Sequence, residues 1–426
     1  MTNQGPESHC DLLVVGAGPA GTSAAITAAR AGLRVTVIDK AKFPRDKCCG
    51  DGLTTLALRQ LHALGFDPAT VPSWQDVDAA YLRSPSGREV RLPLPKHGRF
   101  AAVTPRVELD AALVDHARAM GATIVEECAF VEISTNADSV GISTNADSVG
   151  ISTNANSVDV AVDTKGSPST IRATWVIAAD GMWSPVRKAL GVSTPGYLGE
   201  WHAFRQYANN VTGPAKDRLI VWFDEDLLPG YAWSFPLPGN RVNIGFGILR
   251  NGERRVQDMK DLWTDLLRRD HVVAALGDGF QLEDRHTAWP IPARIDEAVT
   301  AIGRVLFVGD AAMATDALTG EGIGQALLTG VEAAKAVIAG GDAATVRGRY
   351  ARAVNHHLLA DHRMSLRLSK VLSKSRGARG AIALLARSGS WGRRNFARWM
   401  FEDEPRAIAL TPRRWHRRLF RQHGAY

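Results

Sequence analysis

Gly16, Gly18 and Gly21 lie in LLVVGAGPAG, where an apolar run beginning at Leu12 enters a GxGxxG turn. About twenty residues on, a second apolar run, VTVID, ends in Asp39. The first glycine permits a tight turn, the second lets a pyrophosphate approach the backbone, and the third lets helix and strand pack closely. Asp39 is placed to accept hydrogen bonds from an adenosine ribose, with Lys40 beside it, while Pro19 and Ala20 complete the turn. That spacing is the chemistry of an ADP-containing dinucleotide, its phosphates at a helix N-terminus. Two further groups could act on a bound ligand. Cys49, in FPRDKCCGDG, stands near Arg45 and Lys47, cations that favour a thiolate, so it could deliver a proton or form a transient disulfide. Its neighbour Cys48 reads as a small buried residue. In YAWSFP, strand alternation sets Tyr231, Trp233 and Phe235 on one face. Such a face is either a wall for a long apolar ligand, with the Tyr231 hydroxyl as anchor or proton donor, or ordinary sheet core.

The elements that must position these groups follow. Strand, glycine turn, small-residue helix, strand and acid make a Rossmann-type unit. Downstream, VLFVGD ends a strand at Gly309 and Asp310 ahead of a glycine-broken helix containing Gly320, Gly322, Ile323 and Gly324. A third segment, TWVIAADGMW, takes a strand to Asp180 and Gly181. The three in this order resemble the flavoproteins of the para-hydroxybenzoate hydroxylase fold. The resemblance implies FAD as cofactor. Its ADP half would be held by Gly16 to Gly21 and Asp39, with Arg106 along it. Asp180 and Gly181 would line the pyrophosphate cleft, and Asp310 would bind the ribityl hydroxyls. No second glycine-rich fingerprint announces a nicotinamide domain, and NAD(P)H and a ferredoxin are both open as electron donors.

A narrower resemblance rests on two markers. Pro44, Lys47, Cys49 and Gly50 fill a PxxKxCG stretch; Tyr231, Trp233, Phe235 and Pro236, followed by Gly245 and Gly247, fill a YxWxFP segment. With LTGEGI at Leu318 to Ile323, the chain resembles the geranylgeranyl reductase family over roughly Asp11 to Ala339. Those enzymes use FAD to reduce isolated double bonds of isoprenoid chains. The resemblance implies that Lys47, Cys49 and Gly50 lie at the flavin. It also implies that Tyr231, Trp233, Phe235 and Pro236 contact the substrate, and that Cys49, Tyr231 and Trp233 act in catalysis. The chain departs from the family at Met313 and Ala317, and in WPIPAR at Trp289 to Arg294.

The fold expected is α/β: a Rossmann-type FAD-binding domain with an inserted antiparallel substrate sheet and a C-terminal helical region. The FAD-binding domain would take residues 11–66, 100–190 and 287–339. The substrate domain would take 67–99 and 191–286, and a basic helical region 340–426. Within the first, a nine-residue repeat over 133–159 (ISTNADSVG twice, then ISTNANSVD) reads as an extended surface hairpin with no catalytic role. An odd period cannot keep one face of a single strand buried.

The net charge of +7 is uneven. From Val346 to Tyr426 there are 19 Lys and Arg against 4 Asp and Glu, leaving the rest of the chain acidic. Basic residues interleaved with Trp, Phe and Leu suit an anionic membrane surface, while nucleic acid is disfavoured for want of a recognition motif. A solvated helical cap is the plainer reading of the same stretch. No segment is apolar for the roughly eighteen residues of a span, the start MTNQGPESHCD lacks a signal pattern, and four cysteines form no disulfide framework. These features predict a cytoplasmic protein, peripheral on the inner face of a membrane. No metal-spaced His or Cys cluster appears. The leading function is FAD-dependent reduction of the double bonds of a prenyl lipid or polyprenyl quinone. The alternatives are an FAD monooxygenase of an apolar or aromatic metabolite, and a non-enzymatic prenyl-binding protein.

Overall fold

The strand His9–Val15 is flanked by parallel partners on both sides, Val35–Asp39 and Ser167–Ala178. The computed structural model describes residues 9–95, 98–135, 156–250, 256–408 and 411–412. Parallel pairing extends the sheet to Thr123–Glu126 at one side and to Val305–Phe307 at the other. Consecutive residues of the central strand point to opposite faces, and Leu12, Leu13 and Val14 are all fully buried, so both faces of the sheet are covered and its strands are apolar throughout rather than alternating. The chain crosses from one half of this sheet to the other between His9–Val15 and Ser167–Ala178. A crevice therefore opens at the carboxyl ends of those two strands, where α/β folds bind ligands.

A second sheet of seven strands takes its members from two stretches of chain. Strands Trp201–Asn209, Leu219–Trp222, Tyr231–Leu237, Arg241–Leu249 and Gln281–Ile291 come from one; Ala79–Arg83 and Glu89–Pro93 come from the other. The sheet is antiparallel, as expected, except at their junction. Leu219–Trp222 runs parallel to Ala79–Arg83, because the earlier hairpin joins the edge as a separate segment. The sheet also continues past residue 286, since Trp201 pairs with Ile291.

Four helices, Ala343–Val354, Ala360–Leu372, Ser375–Arg387 and Gly389–Met400, follow the last sheet strand and the long helix Ile323–Ile338. Ile382, Leu385, Ala397 and Phe401 from this region pack on Val90 and Leu92 of the second sheet. Among the described residues no helix is long and apolar enough to cross a membrane. Most of the nine-residue repeat lies outside the described residues; the strands that flank it, Cys128–Thr135 and Val158–Thr164, pair with each other. The basic segment from residue 413 onward lies outside them as well.

Candidate active site

A cavity of about 1330 Å³ begins at the crevice of the parallel sheet and continues under the second sheet to the C-terminal helices. That exceeds the roughly 300–1,000 Å³ of an ordinary small-molecule pocket, leaving room for a dinucleotide and a second ligand. Its first end is shaped by glycine. Gly16 has φ +102°, and a Cβ there would overlap the carbonyl oxygen of Ala179. A Cβ on Gly21 would overlap the carbonyl oxygen of Gly16 itself. Gly18 is different: it has extended backbone, and a Cβ would meet only Arg45 Nη2, 3.6 Å away. Its space is open because it faces the cavity. The helix Pro19–Arg30 has no capping side chain, so its first N–H groups are free for an anion. Asp39 Oδ2 accepts from Ala17 N at 2.8 Å and Oδ1 from Ala41 N at 2.9 Å, which fixes the carboxylate at the rim with lone pairs to spare. This cradle fits FAD: an anion site at a bare helix end, a ribose acceptor, and Asp310 at the far strand end.

The other residues expected at the cofactor also line the cavity, several with their polar groups already engaged. Asp180 caps the short helix Pro185–Ala189, accepting from Ser184 Oγ at 2.7 Å and Val186 N at 3.0 Å. Burial raises its carboxyl to about 6. Arg106 makes a two-pronged pair with Asp110 at 2.7 and 2.8 Å, and Arg45 reaches the same carboxylate at 3.1 Å. Lys47 lies over the Trp289 ring, 3.4 Å from its centroid; burial lowers its ammonium to about 8, against the attraction of Asp310. Lys40, Gly50, Gly181, Gly309, Gly320, Gly322 and Ile323 complete this lining among the residues expected. Met313 holds a left-handed φ of 56°.

The thiolate expected at Cys49 is not what the surroundings favour. Burial pushes the thiol up to about 12, outweighing the nearby Arg106. Arg45 is turned away towards Asp110, so the neighbour in sequence is not the neighbour in charge. Cys49 is a neutral thiol in the cavity wall, and the pKa of Cys48 is raised by burial as well.

Tyr231, Trp233 and Phe235 all face the cavity from one strand, their rings about 6 Å apart in succession (6.0 and 6.1 Å). Pro236, expected with them, alternates to the opposite face and does not line the cavity. The C-terminal helices contribute Leu368, Leu372, Ala381, Phe396 and Met400 to the same cavity. Val371 lines the cavity yet is 58% exposed, which places a mouth on the helix Ala360–Leu372.

Two groups that hold this geometry were not singled out in the sequence. Asp51 is fully buried at φ 64° and accepts from Tyr207 Oη at 2.7 Å, Asn243 Nδ2 at 2.8 Å and Arg106 N at 3.2 Å. Burial raises its carboxyl to about 6. Its place between Gly50 and Gly52 was the available signal. The second group centres on Glu321, inside LTGEGI, with Asp316, Glu402 and Arg406 around it. Arg406 pairs with Asp316 at 3.2 Å and Glu402 at 3.6 Å. No spacing in the sequence relates residues 316–321 to 402–406.

The chain matches the model described as FAD binding domain over residues 9–339. It is 31% identical over 356 residues to a menaquinone reductase of Mycolicibacterium smegmatis, covering 78% of each chain. A menaquinone reductase of Mycobacterium tuberculosis is 32% identical, over 77% of this chain and 76% of that one. Digeranylgeranylglycerophospholipid reductase 2 of Methanococcoides burtonii is 28% identical over 78% and 76%. In fold, a geranylgeranyl bacteriochlorophyll reductase-like protein of Thermoplasma acidophilum superposes with a TM-score of 0.76 at 20% identity, over 96% of this chain and all of that one. A cradle built for a flavin dinucleotide and these likenesses agree: the chain belongs to the FAD-binding domain family, as an FAD-dependent oxidoreductase.

Proposed function

We propose that this protein saturates carbon–carbon double bonds in the prenyl chain of a polyprenyl quinone or geranylgeranyl lipid. The observation that carries this reading is the continuity of the cavity. A polar dinucleotide cradle opens directly onto a long apolar compartment walled by Tyr231, Trp233 and Phe235. When bound and reduced, FAD supplies hydride, held by the glycine turn, Asp39 and Asp310. The chain's own residues do the rest. The aromatic wall holds a flat, flexible chain by contact area and excludes water from the reacting bond. Asn243 and Asp51 fix that wall against the cofactor loop.

Access from a membrane belongs to the same reading. Leu384 and Trp391, 71% and 55% exposed, stand among exposed Lys374, Arg376 and Arg387 on the helices that carry the mouth at Val371. Apolar residues set among cations suit the surface of anionic lipid, from which a prenyl chain would enter.

The test is anaerobic. The reduced holoprotein is mixed with a polyprenyl quinone or geranylgeranyl lipid, following flavin absorbance and product mass. Reoxidation without oxygen, with two hydrogens gained per bond, is the expected result. A flavin that stays reduced until air enters would move the assignment to an oxygen-using hydroxylase.

A further inference from the structure

We propose that Glu321 is the catalytic acid that delivers the proton to the alkene, a role resting on the reductase reading above. Its side chain lines the cavity at the base of the helix Ile323–Ile338, next to the aromatic wall. Among the described residues, both hydrogen bonds that its carboxyl accepts fall on Oε1, from Ile323 N at 3.0 Å and Gly324 N at 3.2 Å. Oε2 is left for the cavity. The carboxyl is thus anchored by one oxygen and presented by the other.

The neighbouring groups select it. Burial pushes Glu321 up to about 8, with Glu402 and then Asp316 adding repulsion against the backbone N–H groups that pull it down. Glu402 is itself raised to about 7 by burial, and Arg406 lies between Glu402 and Asp316. Facing Glu321 across the cavity wall are Tyr231 and Cys49. Neither is matched to the task. Tyr231 donates its hydroxyl proton to the Thr319 carbonyl oxygen, and burial raises it well above the ordinary phenol range. Cys49 stands at about 12. An acid works best with a pKa near the operating pH, and Glu321 alone of the three has one.

The step balances. The alkene π bond and the Glu321 O–H bond break. One alkene carbon gains the Glu321 proton and the other gains hydride from the reduced cofactor, so two C–H bonds form. The two electrons the alkene gains arrive with the hydride that the reduced cofactor would supply, and the Glu321 carboxylate recovers a proton from water.

The experiment compares wild type, Glu321→Gln and Cys49→Ser as holoproteins. Infrared difference spectra across pH should show a protonated carboxyl lost with a midpoint near 8 in wild type and in Cys49→Ser, and absent from Glu321→Gln. In anaerobic single turnover, wild-type double-bond reduction should decline above that pH. Glu321→Gln should be slower by at least about 100-fold, with no such pH limb and with FAD binding unchanged. Wild-type turnover matched by Glu321→Gln, or a pH limb that survives the substitution, would overturn the role of Glu321 and leave the reductase reading standing. Wild type inert towards every prenyl substrate would overturn that reading and the proposal with it.

Discussion

Asn243 donates to Asp51 Oδ2 at 2.8 Å and so ties the second sheet to the cofactor loop. The same amide donates to Cys49 O at 2.9 Å, while its oxygen accepts from Trp233 Nε1 at 3.0 Å. One side chain therefore sets the distance between the aromatic wall and the loop beside the flavin.

Replacing Asn243 with Ala leaves a buried carboxylate short of a donor and a buried indole without its acceptor. Each such loss costs about 1–3 kcal/mol, so the variant should be about 2–6 kcal/mol less stable in urea unfolding. Turnover should fall further than FAD affinity, because Trp233 is loosened while the glycine turn is intact. Equal losses in both would show that the amide serves the fold alone.

Gly18→Ala separates cofactor binding from folding. Its Cβ meets no backbone and needs no unusual φ, so the apoprotein should melt within about 1 kcal/mol of wild type. The methyl group occupies space facing the phosphates, and FAD affinity should fall at least about tenfold. Gly21→Ala is the contrast. Its Cβ overlaps the Gly16 carbonyl oxygen, so the apoprotein itself should lose stability. Calorimetry of the apoproteins and flavin titration distinguish the two.

Glu321 also predicts a pH dependence of stability. Its folded value of about 8 lies above the ordinary 4.5, so between these the folded chain holds a proton that the unfolded chain has released. Stability should therefore be greatest at the acidic end of this window and fall as pH rises, levelling off above about 8. The contribution is at most about 1.4 kcal/mol per pH unit. Glu321→Gln should flatten the slope without abolishing it, since Glu402 is raised to about 7. Urea midpoints from pH 5 upward test this, and an unchanged slope would mean Glu321 is ionised in the fold.

Leu384→Glu with Trp391→Ser should weaken binding to anionic vesicles by about tenfold or more, through lost apolar burial and added repulsion. Turnover of a detergent-dispersed substrate should be preserved, because neither residue lines the cavity. Binding that is indifferent to both substitutions and to salt would place the lipid contact elsewhere.

Local patterns were enough for much of this molecule. Gly16, Gly18, Gly21 and Asp39 are a cofactor cradle because turn, helix start and strand end follow each other in the chain. Tyr231, Trp233 and Phe235 share a face because strand alternation is a backbone property. Pro236 failed by that same rule, having been grouped with residues of opposite parity. Tertiary structure decided what depends on distant neighbours. Arg45 and Cys49 are close in sequence, yet Asp110 takes the arginine and burial keeps the thiol neutral. Asp51 gains meaning from Asn243 and Tyr207, more than 150 residues away. Glu321 becomes an acid through burial and through Glu402, which reaches it by way of the C-terminal helices. A residue's type and its local register are written in the chain; its charge state is set by whatever the fold brings beside it.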